Sequence, residues 1–196
     1  MPAIGDMGVR IVEGARRCFE RYGIQKTTME DIAKEAGVSR PTVYKFFGGK
    51  MEIVNYIGFG ELDKIQEVVR ARVNRDLHFA DITTEAILAS VQVANGNPYI
   101  RRFVEDLEVT ALSQLPSSPY QQQARHRWES VMRRAQASGE LAADLDVGDV
   151  VSWLSRNQVT LLRVLDQFGG DEKRLRYWVR RFVVEPLLAN HPAELS

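Results

Sequence analysis

Hydrophobic residues recur every three or four positions along most of the chain, a spacing that predicts amphipathic helices. Two such helices are predicted near the start, over residues 9–22 and 29–36, and a glycine that favours a helix end follows each of them. Thr28 is a natural N-cap for the second helix, and Asp31 lies three residues later, at the positive helix end. The apolar positions are Val12, Ala15, Phe19 and Tyr22 in the first helix and Met29, Ile32, Ala33 and Ala36 in the second.

A third short helix is predicted directly after Gly37. Ser39 can cap it, and Pro41 is tolerated in its first turn, where a missing N–H costs nothing. Val43 and Phe47 then face the first two helices. The positions left pointing outward are Arg40, Thr42, Tyr44 and Lys45. Two short helices joined by a tight, glycine-containing turn are typical of the helix-turn-helix motif, which places its second helix in the major groove of DNA.

The distribution of charge supports a local contact with DNA rather than a global one. Lysine plus arginine and aspartate plus glutamate both number 26, so the formal net charge is zero and no overall attraction to polyanions follows. Residues 39–50 nevertheless carry three cations and no acid, whereas residues 61–196 hold 17 bases and 19 acids. The excess of positive charge is therefore concentrated in the segment whose predicted helix geometry would place it against DNA. The alternative interpretation is a helical face that is merely solvated.

The first quarter of the chain resembles the amino-terminal domain of TetR-family transcriptional regulators. The family pattern has "F..yG" at the end of the first helix, "tT...IA..aGvs" through the second helix and the turn, and "tlY..F..K..l" beyond. The matching residues here are Phe19, Gly23, Thr28, Ile32, Ala33, Ala36, Gly37, Val38, Ser39, Thr42, Tyr44, Phe47 and Lys50.

The resemblance implies an all-α fold. A three-helix helix-turn-helix head is joined by a long fourth helix to a helical ligand-binding and dimerisation domain, with about nine helices in all, as the periodicity also indicates. Residues 1–50 are expected to form the DNA-binding domain, and residues 51–196 the effector-binding and dimerisation domain.

The predicted DNA contacts divide into base contacts and backbone contacts. The first residues of a recognition helix meet base edges, while contacts to the backbone set the register. Arg40 can bond guanine O6 and N7, and Pro41 and Thr42 can meet a thymine methyl group. Lys45 can reach a base or a phosphate. The predicted phosphate contacts are Thr28, Ser39, Tyr44 and Lys50, because hydroxyls and an ammonium at helix starts suit phosphate oxygens; a structural role is the alternative for Tyr44 and Lys50.

The last two predicted helices carry more apolar surface than one neighbouring helix can cover. Asp146 and Asp171 cap them, and Gly169 and Gly170 lie between them. Surplus apolar surface implies a partner, and in the family the final two helices form a four-helix bundle with those of a second subunit. The residues predicted at this homodimer interface are Val151, Leu154, Leu162, Leu165, Trp178 and Phe182.

The resemblance also implies a small, mainly apolar effector among the middle helices, whose binding changes the separation of the two DNA-reading heads. Large apolar side chains with one amide would suit such a pocket. The candidates are Phe103, Leu107, Trp128, Met132 and Asn157. Each has plain core packing as its alternative, and Asn157 could equally donate a hydrogen bond at the dimer interface.

The expected function is a ligand-responsive, DNA-binding bacterial transcriptional regulator. It would bind a palindromic operator in double-stranded DNA as a homodimer, with repression as the commoner behaviour in the family. The alternative is a helical protein-binding adaptor with vestigial DNA binding.

Other classes of protein are not expected. His78, His126 and His191 lie far apart without metal-ligand spacing, and neither a nucleophile elbow nor a phosphate loop occurs. No catalytic residue, metal or cofactor is therefore predicted. A single cysteine, Cys18, excludes an intrachain disulfide. The chain has no run of about 18 apolar residues, so a soluble, cytoplasmic protein without a membrane span is expected.

Overall fold

The computed structural model describes residues 4–74, 77–106 and 119–189. Within these ranges the chain forms nine α-helices and no strand, which confirms the predicted all-α fold class. The helices are α1 (Gly5–Tyr22), α2 (Met29–Ala36), α3 (Arg40–Phe46), α4 (Lys50–Arg72), α5 (Phe79–Asn95), α6 (Pro98–Asp106), α7 (Pro119–Ala137), α8 (Val147–Val164) and α9 (Glu172–Trp178).

Contacts between residues divide the described chain into two units. The first unit contains α1, α2, α3, the part of α4 up to Lys64, and α6. The second contains the rest of α4 together with α5, α7, α8 and α9. Neither unit ends at residue 50, and the functional boundary expected there stays a prediction.

The core of the first unit is built from the predicted apolar faces of α1 and α2, to which α3 and the start of α4 add one side. Its fully enclosed side chains include Ile11, Phe19, Ile32, Val43 and Ile53. One predicted core position is wrong. Tyr22 is 45% exposed because α1 ends there, and its ring lies under the guanidinium of Arg21 instead.

The second unit has its own core, centred on α5. This helix is buried on nearly all sides, as a helix without a strong polar face should be. Side chains of α7, α8 and α9 complete the core, among them Met132, Leu154, Leu161 and Leu175.

Helix α9 does not end in regular α-helix. It continues as a π-helical turn over Val179–Val184 and then as a 3₁₀ turn over Glu185–Leu187. In the π-helical turn the carbonyl oxygen of Val183 accepts a hydrogen bond of 2.9 Å from the indole nitrogen of Trp153 on α8. An isolated bridge between Leu141 and Leu188 then ties the end of this segment to the loop after α7.

Candidate DNA-binding surface

Gly14 on α1 lies directly against the backbone of Ala36 at the end of α2. A methyl group added at Gly14 would be 2.9 Å from the Ala36 nitrogen, so this approach requires glycine. Arg10, one turn earlier on α1, donates from Nη2 to the carbonyl oxygen of Ala36 at 3.0 Å. It thereby satisfies one of the carbonyls that a helix leaves open at its C-terminal end. These contacts fix the end of α2 on α1.

The start of α2 is closed by a reciprocal pair of hydrogen bonds between Thr28 and Asp31. The Asp31 nitrogen donates to Thr28 Oγ1 at 3.2 Å, and the Thr28 nitrogen donates to Asp31 Oδ2 at 2.9 Å. The Thr28 hydroxyl also donates to Asp31 Oδ2 at 2.6 Å. These bonds from Thr28 lower the pKa of Asp31 below the usual aspartate value. The exposed Thr28 hydroxyl is thus held in place at the helix start.

The turn between α2 and α3 has the form that its sequence predicts. Gly37 adopts a left-handed conformation with φ of 65°. Its N–H group donates hydrogen bonds to the carbonyl oxygens of Ala33 and Lys34. Ser39 then caps α3 by accepting a hydrogen bond of 3.3 Å from the Thr42 nitrogen. The Ser39 and Thr42 hydroxyl oxygens are 2.7 Å apart.

The outer face of α3 carries the residues predicted to read base edges, together with Tyr44, which is a predicted phosphate contact. Arg40, Pro41, Tyr44 and Lys45 are exposed, and Thr42 is half-buried, while Val43 is fully buried and anchors the helix from beneath.

Arg40 and Tyr44 form one unit on that face. The guanidinium of Arg40 lies over the Tyr44 ring, with its carbon atom 5.5 Å from the ring centroid. The adjacent Tyr44 side chain raises the pKa of Arg40 above its already high value. Tyr44 is 43% exposed, so its ring is only partly covered by the protein.

Lys50, a predicted phosphate contact, has different partners in the structure. Its ammonium donates to the backbone carbonyl oxygens of Ile24, Gln25 and Thr27, at 2.8, 2.9 and 2.8 Å. An ammonium has three N–H donors, so all of them are used within the protein. The structure thus favours the structural alternative that the sequence left open for this residue.

A buried carboxylate on α4, Glu61, was not singled out from the sequence. Its oxygens accept hydrogen bonds from Arg16 on α1 at 2.7 Å, Lys64 at 3.1 Å and Asn97 at 2.6 Å. Burial acts to raise the pKa of Glu61, but the hydrogen bonds from Asn97, Arg16 and Lys64 prevail and hold it below the usual glutamate value. The sequence does contain one signal, because Glu61 interrupts an apolar stripe between Ile57 and Ile65.

The predicted effector residues are only partly covered by the structure. Leu107 and the side chain of Phe103 lie outside the described residues. Met132 is completely buried in the core of the second unit, and Trp128 packs against that core. Asn157 donates from Nδ2 to the carbonyl oxygen of Trp153 at 2.9 Å, one turn earlier on its own helix. Met132 is therefore packed within the core of the chain, and the Asn157 amide is hydrogen-bonded to its own helix.

The residues predicted at the dimer interface fall into two groups. Val151 and Leu154 are buried in the core of the chain itself, and their place at a dimer interface stays a prediction. The remaining residues are half-buried Leu162, Leu165 and Trp178 and the 52% exposed Phe182. Two exposed aromatic residues of the same region were missed, namely Trp153 at 41% and Tyr177 at 63%.

The arrangement of the described residues bears on two other functions. No group of three or more histidine, cysteine, aspartate or glutamate side chains there is arranged to hold a metal ion. No helix in those ranges combines the length and apolar character needed to cross a bilayer.

Comparison with known proteins places the helical head in a family. Residues 11–57 match the family of bacterial regulatory proteins described as the tetR family. The HTH-type transcriptional regulator SrpR of Pseudomonas putida is 29% identical over 143 residues, which are 70% of this chain and 65% of SrpR. The chain thus matches slightly less than two thirds of the length of SrpR. The uncharacterized HTH-type transcriptional regulator TtgW, also of Pseudomonas putida, is 30% identical over 98 residues, or 50% of this chain and 69% of TtgW.

Solved structures share the fold over almost the whole chain. A tetR family transcription regulator from Shewanella sp. PV-4 superimposes with a TM-score of 0.69 at 20% identity, covering 93% of this chain and 98% of that one. The fatty acid degradation regulator FadR from Bacillus halodurans gives 0.66 at 14% identity, with 93% and 97% covered. The matched relatives are transcriptional regulators and not enzymes, as predicted. The chain belongs to the TetR family of helix-turn-helix transcriptional regulators.

Proposed function

We propose that the protein is a homodimeric repressor that binds a palindromic DNA operator through α3 and responds to a small, mainly apolar effector. One observation carries the proposal most directly: the outer face of α3 presents Arg40, Tyr44 and Lys45, while Val43 fixes the helix from within. A fixed helix whose exposed face carries cations and hydrogen-bond donors suits the major groove, where an arginine can bond guanine.

The two ends of this surface support contacts with the DNA backbone. Thr28 and Ser39 begin α2 and α3, and their hydroxyl positions are set by short-range hydrogen bonds. Helix starts favour phosphate because their N–H groups and dipoles are positive. Backbone contacts of this kind would fix the register in which α3 meets the bases.

Dimerisation is supported by a cluster of aromatic rings on α8, α9 and the turns that follow them. We call Trp153, Tyr177, Trp178 and Phe182 the aromatic patch. The ring centroids of Tyr177 and Phe182 are 6.3 Å apart, and those of Trp178 and Phe182 are 5.8 Å apart. Aromatic residues are enriched in the cores of protein interfaces, and Leu162 and Leu165, in the preceding segment of the chain, are also half-buried.

A two-fold dimer explains why the operator would be palindromic. The two copies of α3 must then lie about one DNA turn apart, roughly 34 to 36 Å, or a multiple of that distance. Each half of the operator would be read by one subunit, so the symmetry of the protein would be repeated in the DNA sequence.

An effector site in the second unit is supported by a buried hydroxyl. Thr83 on α5 is completely buried, and its Oγ1 has no hydrogen-bond partner among the described residues. Such a group costs free energy unless something satisfies it. A mainly apolar effector with one hydrogen-bonding group, bound near α5 and Trp128, would fit this arrangement.

The proposal is tested with purified protein and labelled DNA from upstream of its own gene. We expect a mobility shift that a random duplex of equal length does not compete away, and a mass by sedimentation equal to two chains. Binding to both duplexes with equal affinity would contradict a specific operator. Failure to bind any DNA, with the fold intact, would favour the protein-binding adaptor instead.

A further inference from the structure

The side chain of Lys50 connects the first residue of α4 to the turn between α1 and α2. Its ammonium reaches three carbonyl oxygens in that turn, those of Ile24, Gln25 and Thr27. These oxygens are 23 to 26 residues away along the chain, so the contact is a tertiary one. Hydrogen bonds from an ammonium are about twice as strong as neutral ones.

The turn itself is built to present these oxygens. The Thr27 hydroxyl donates to the Gly23 carbonyl at 2.7 Å and is buried, and Ile24 is fully buried beside it. The turn is therefore anchored from inside. Three of its carbonyls, those of Ile24, Gln25 and Thr27, converge on a single cation, much as helix C-terminal carbonyls do.

The start of α4 is equally fixed. The Gly48 nitrogen donates to Glu52 Oε2 at 2.6 Å, and the Glu52 nitrogen donates to the Gly49 carbonyl at 3.1 Å. Lys50 thus extends from a closed helix start to an anchored turn. Because Thr28, the N-cap of α2, directly follows that turn, the Lys50 contact limits where α2 can begin relative to α4.

We propose that Lys50 is a positioning residue for DNA binding rather than a phosphate contact. It closes the head by joining the α1–α2 turn to α4, and so holds the start of α2 and the recognition helix packed on it. A phosphate could bind the Lys50 ammonium only by displacing carbonyl oxygens that are already hydrogen-bonded to it. The inference rests on the proposed DNA binding for its functional effect, but the contact itself can be tested without DNA.

The first test uses the unmodified protein and no DNA. Lysine acylation by an N-hydroxysuccinimide ester, followed by mass spectrometry over time, compares Lys50 with the exposed Lys26 and Lys45. We expect Lys50 to react at least about tenfold more slowly, because its ammonium must first leave three acceptors. A rate equal to that of Lys45 would overturn the proposal.

The second test compares Lys50→Met and Lys50→Arg with Lys45→Met and Lys45→Arg. Binding to a labelled mixed-sequence duplex is measured over a range of salt concentrations. Loss of one phosphate contact lowers the slope of log affinity against log salt by about 0.9. We expect Lys45→Met to show that lower slope, and Lys50→Met to lose affinity with an unchanged slope and faster amide exchange over residues 24–31.

The arginine variants separate the two roles further. Arginine suits phosphate well, but no single nitrogen of its planar guanidinium carries three N–H donors as an ammonium does. Lys50→Arg is therefore expected to lose affinity, while Lys45→Arg keeps it. Full affinity in Lys50→Arg, together with a lower slope in Lys50→Met, would show a phosphate contact and overturn the proposal. If the unmodified protein bound no DNA but Lys50 were still protected from acylation, the proposed function would fail and the contact would stand.

Discussion

Arg16 on α1 and Glu61 on α4 form an ion pair with 2.7 Å between Nη2 and Oε1, in which the Glu61 side chain is only 6% exposed. The same carboxylate accepts a hydrogen bond from Asn97, whose own Oδ1 accepts one from the Ile100 nitrogen in the first turn of α6. The guanidinium of Arg16 also lies over the Tyr99 ring, 5.4 Å from its centroid. One buried charge on α4 thus ties α1 and the start of α6 together.

The first prediction follows from the lowered pKa of Glu61. A group whose pKa is lower in the folded state stabilises the protein above its unfolded-state pKa, about 4.3 for glutamate, and loses this effect as pH falls through the folded-state value. Glu61→Gln is expected to lower the free energy of unfolding at neutral pH by about 2 kcal/mol. Urea titrations at neutral pH and near pH 3 should show that the difference from the unmodified protein shrinks in acid.

A matched control for Glu61→Gln lies on the other side of Arg16. Glu13 is 57% exposed, and its Oε1 is 3.9 Å from Arg16 Nε. Glu13→Gln should therefore change the free energy of unfolding by less than about 0.5 kcal/mol. Equal losses in the two variants, or a Glu61→Gln loss that is as large in acid as at neutral pH, would contradict the prediction.

The second prediction concerns the close approach of α1 and α2. Gly14→Ala places a methyl group 2.9 Å from the Ala36 nitrogen, and backbone atoms cannot turn away as a side chain can. Overpacking of this kind is expected to cost about 1 to 3 kcal/mol and to weaken DNA binding. Gly96→Ala is the control, because its methyl group would meet no described atom closer than 3.6 Å at a φ of −75°. The melting temperatures of both variants, measured by thermal unfolding, test this prediction. Equal melting temperatures would refute the expected clash.

The third prediction concerns Arg40 as a reader of bases. Arg40→Ala should lose about 1 to 3 kcal/mol on the operator and relax the preference at one base pair. The preferred sequence before and after substitution is measured by selection from a random DNA library. Equal loss at every position of the operator would instead assign Arg40 to the backbone.

The fourth prediction concerns the aromatic patch. Tyr177 and Phe182 are 63% and 52% exposed, so glutamate at both positions should leave the chain folded and place charge inside the proposed interface. Sedimentation should then show monomers with a normal helical spectrum. Val9→Glu provides the control, because Val9 is also 52% exposed but lies on α1. A dimer that survives the double substitution would place the interface elsewhere.

The fifth prediction compares two adjacent threonines on α5. Thr83→Val removes a buried hydroxyl that has no partner in the part of the chain that the structure describes, and should raise the free energy of unfolding by about 1 kcal/mol. Thr84→Val removes a hydroxyl that donates to the Ala80 carbonyl at 2.7 Å, and should give no such gain. Denaturant titrations measure the free energy of unfolding of both variants. Destabilisation by Thr83→Val would show that its hydroxyl is already satisfied.

Features set within a few residues could be predicted from the sequence. Thr28, Ser39, Asp146 and Asp171 were expected to cap helices, and each accepts hydrogen bonds from the backbone at a helix start. A cap depends on a side chain and on N–H groups two or three residues later, so local sequence contains the whole interaction. The left-handed glycine at position 37 was predictable for the same reason.

Features set by distant residues could not be predicted in the same way. The partners of Lys50 are 23 to 26 residues away and are backbone oxygens, which no side-chain pattern discloses. The last helices present a similar difficulty. Val151 and Phe182 both belong to wide apolar faces, and only the packing of α8 against α9 and its π-helical turn decides that the first is buried and the second exposed.

The π-helical turn at Val179–Val184 also makes this part of the chain sensitive to its length. Removing one residue there would restore an α-helical turn and rotate everything that follows by about 100° around the helix axis. The carbonyl that Trp153 bonds would turn away, and Leu187 and Leu188 would leave their places beside the loop after α7. Substitutions can be absorbed in this segment more readily than a deletion, so a related chain that lacks the extra residue should align with this one only across a one-residue gap.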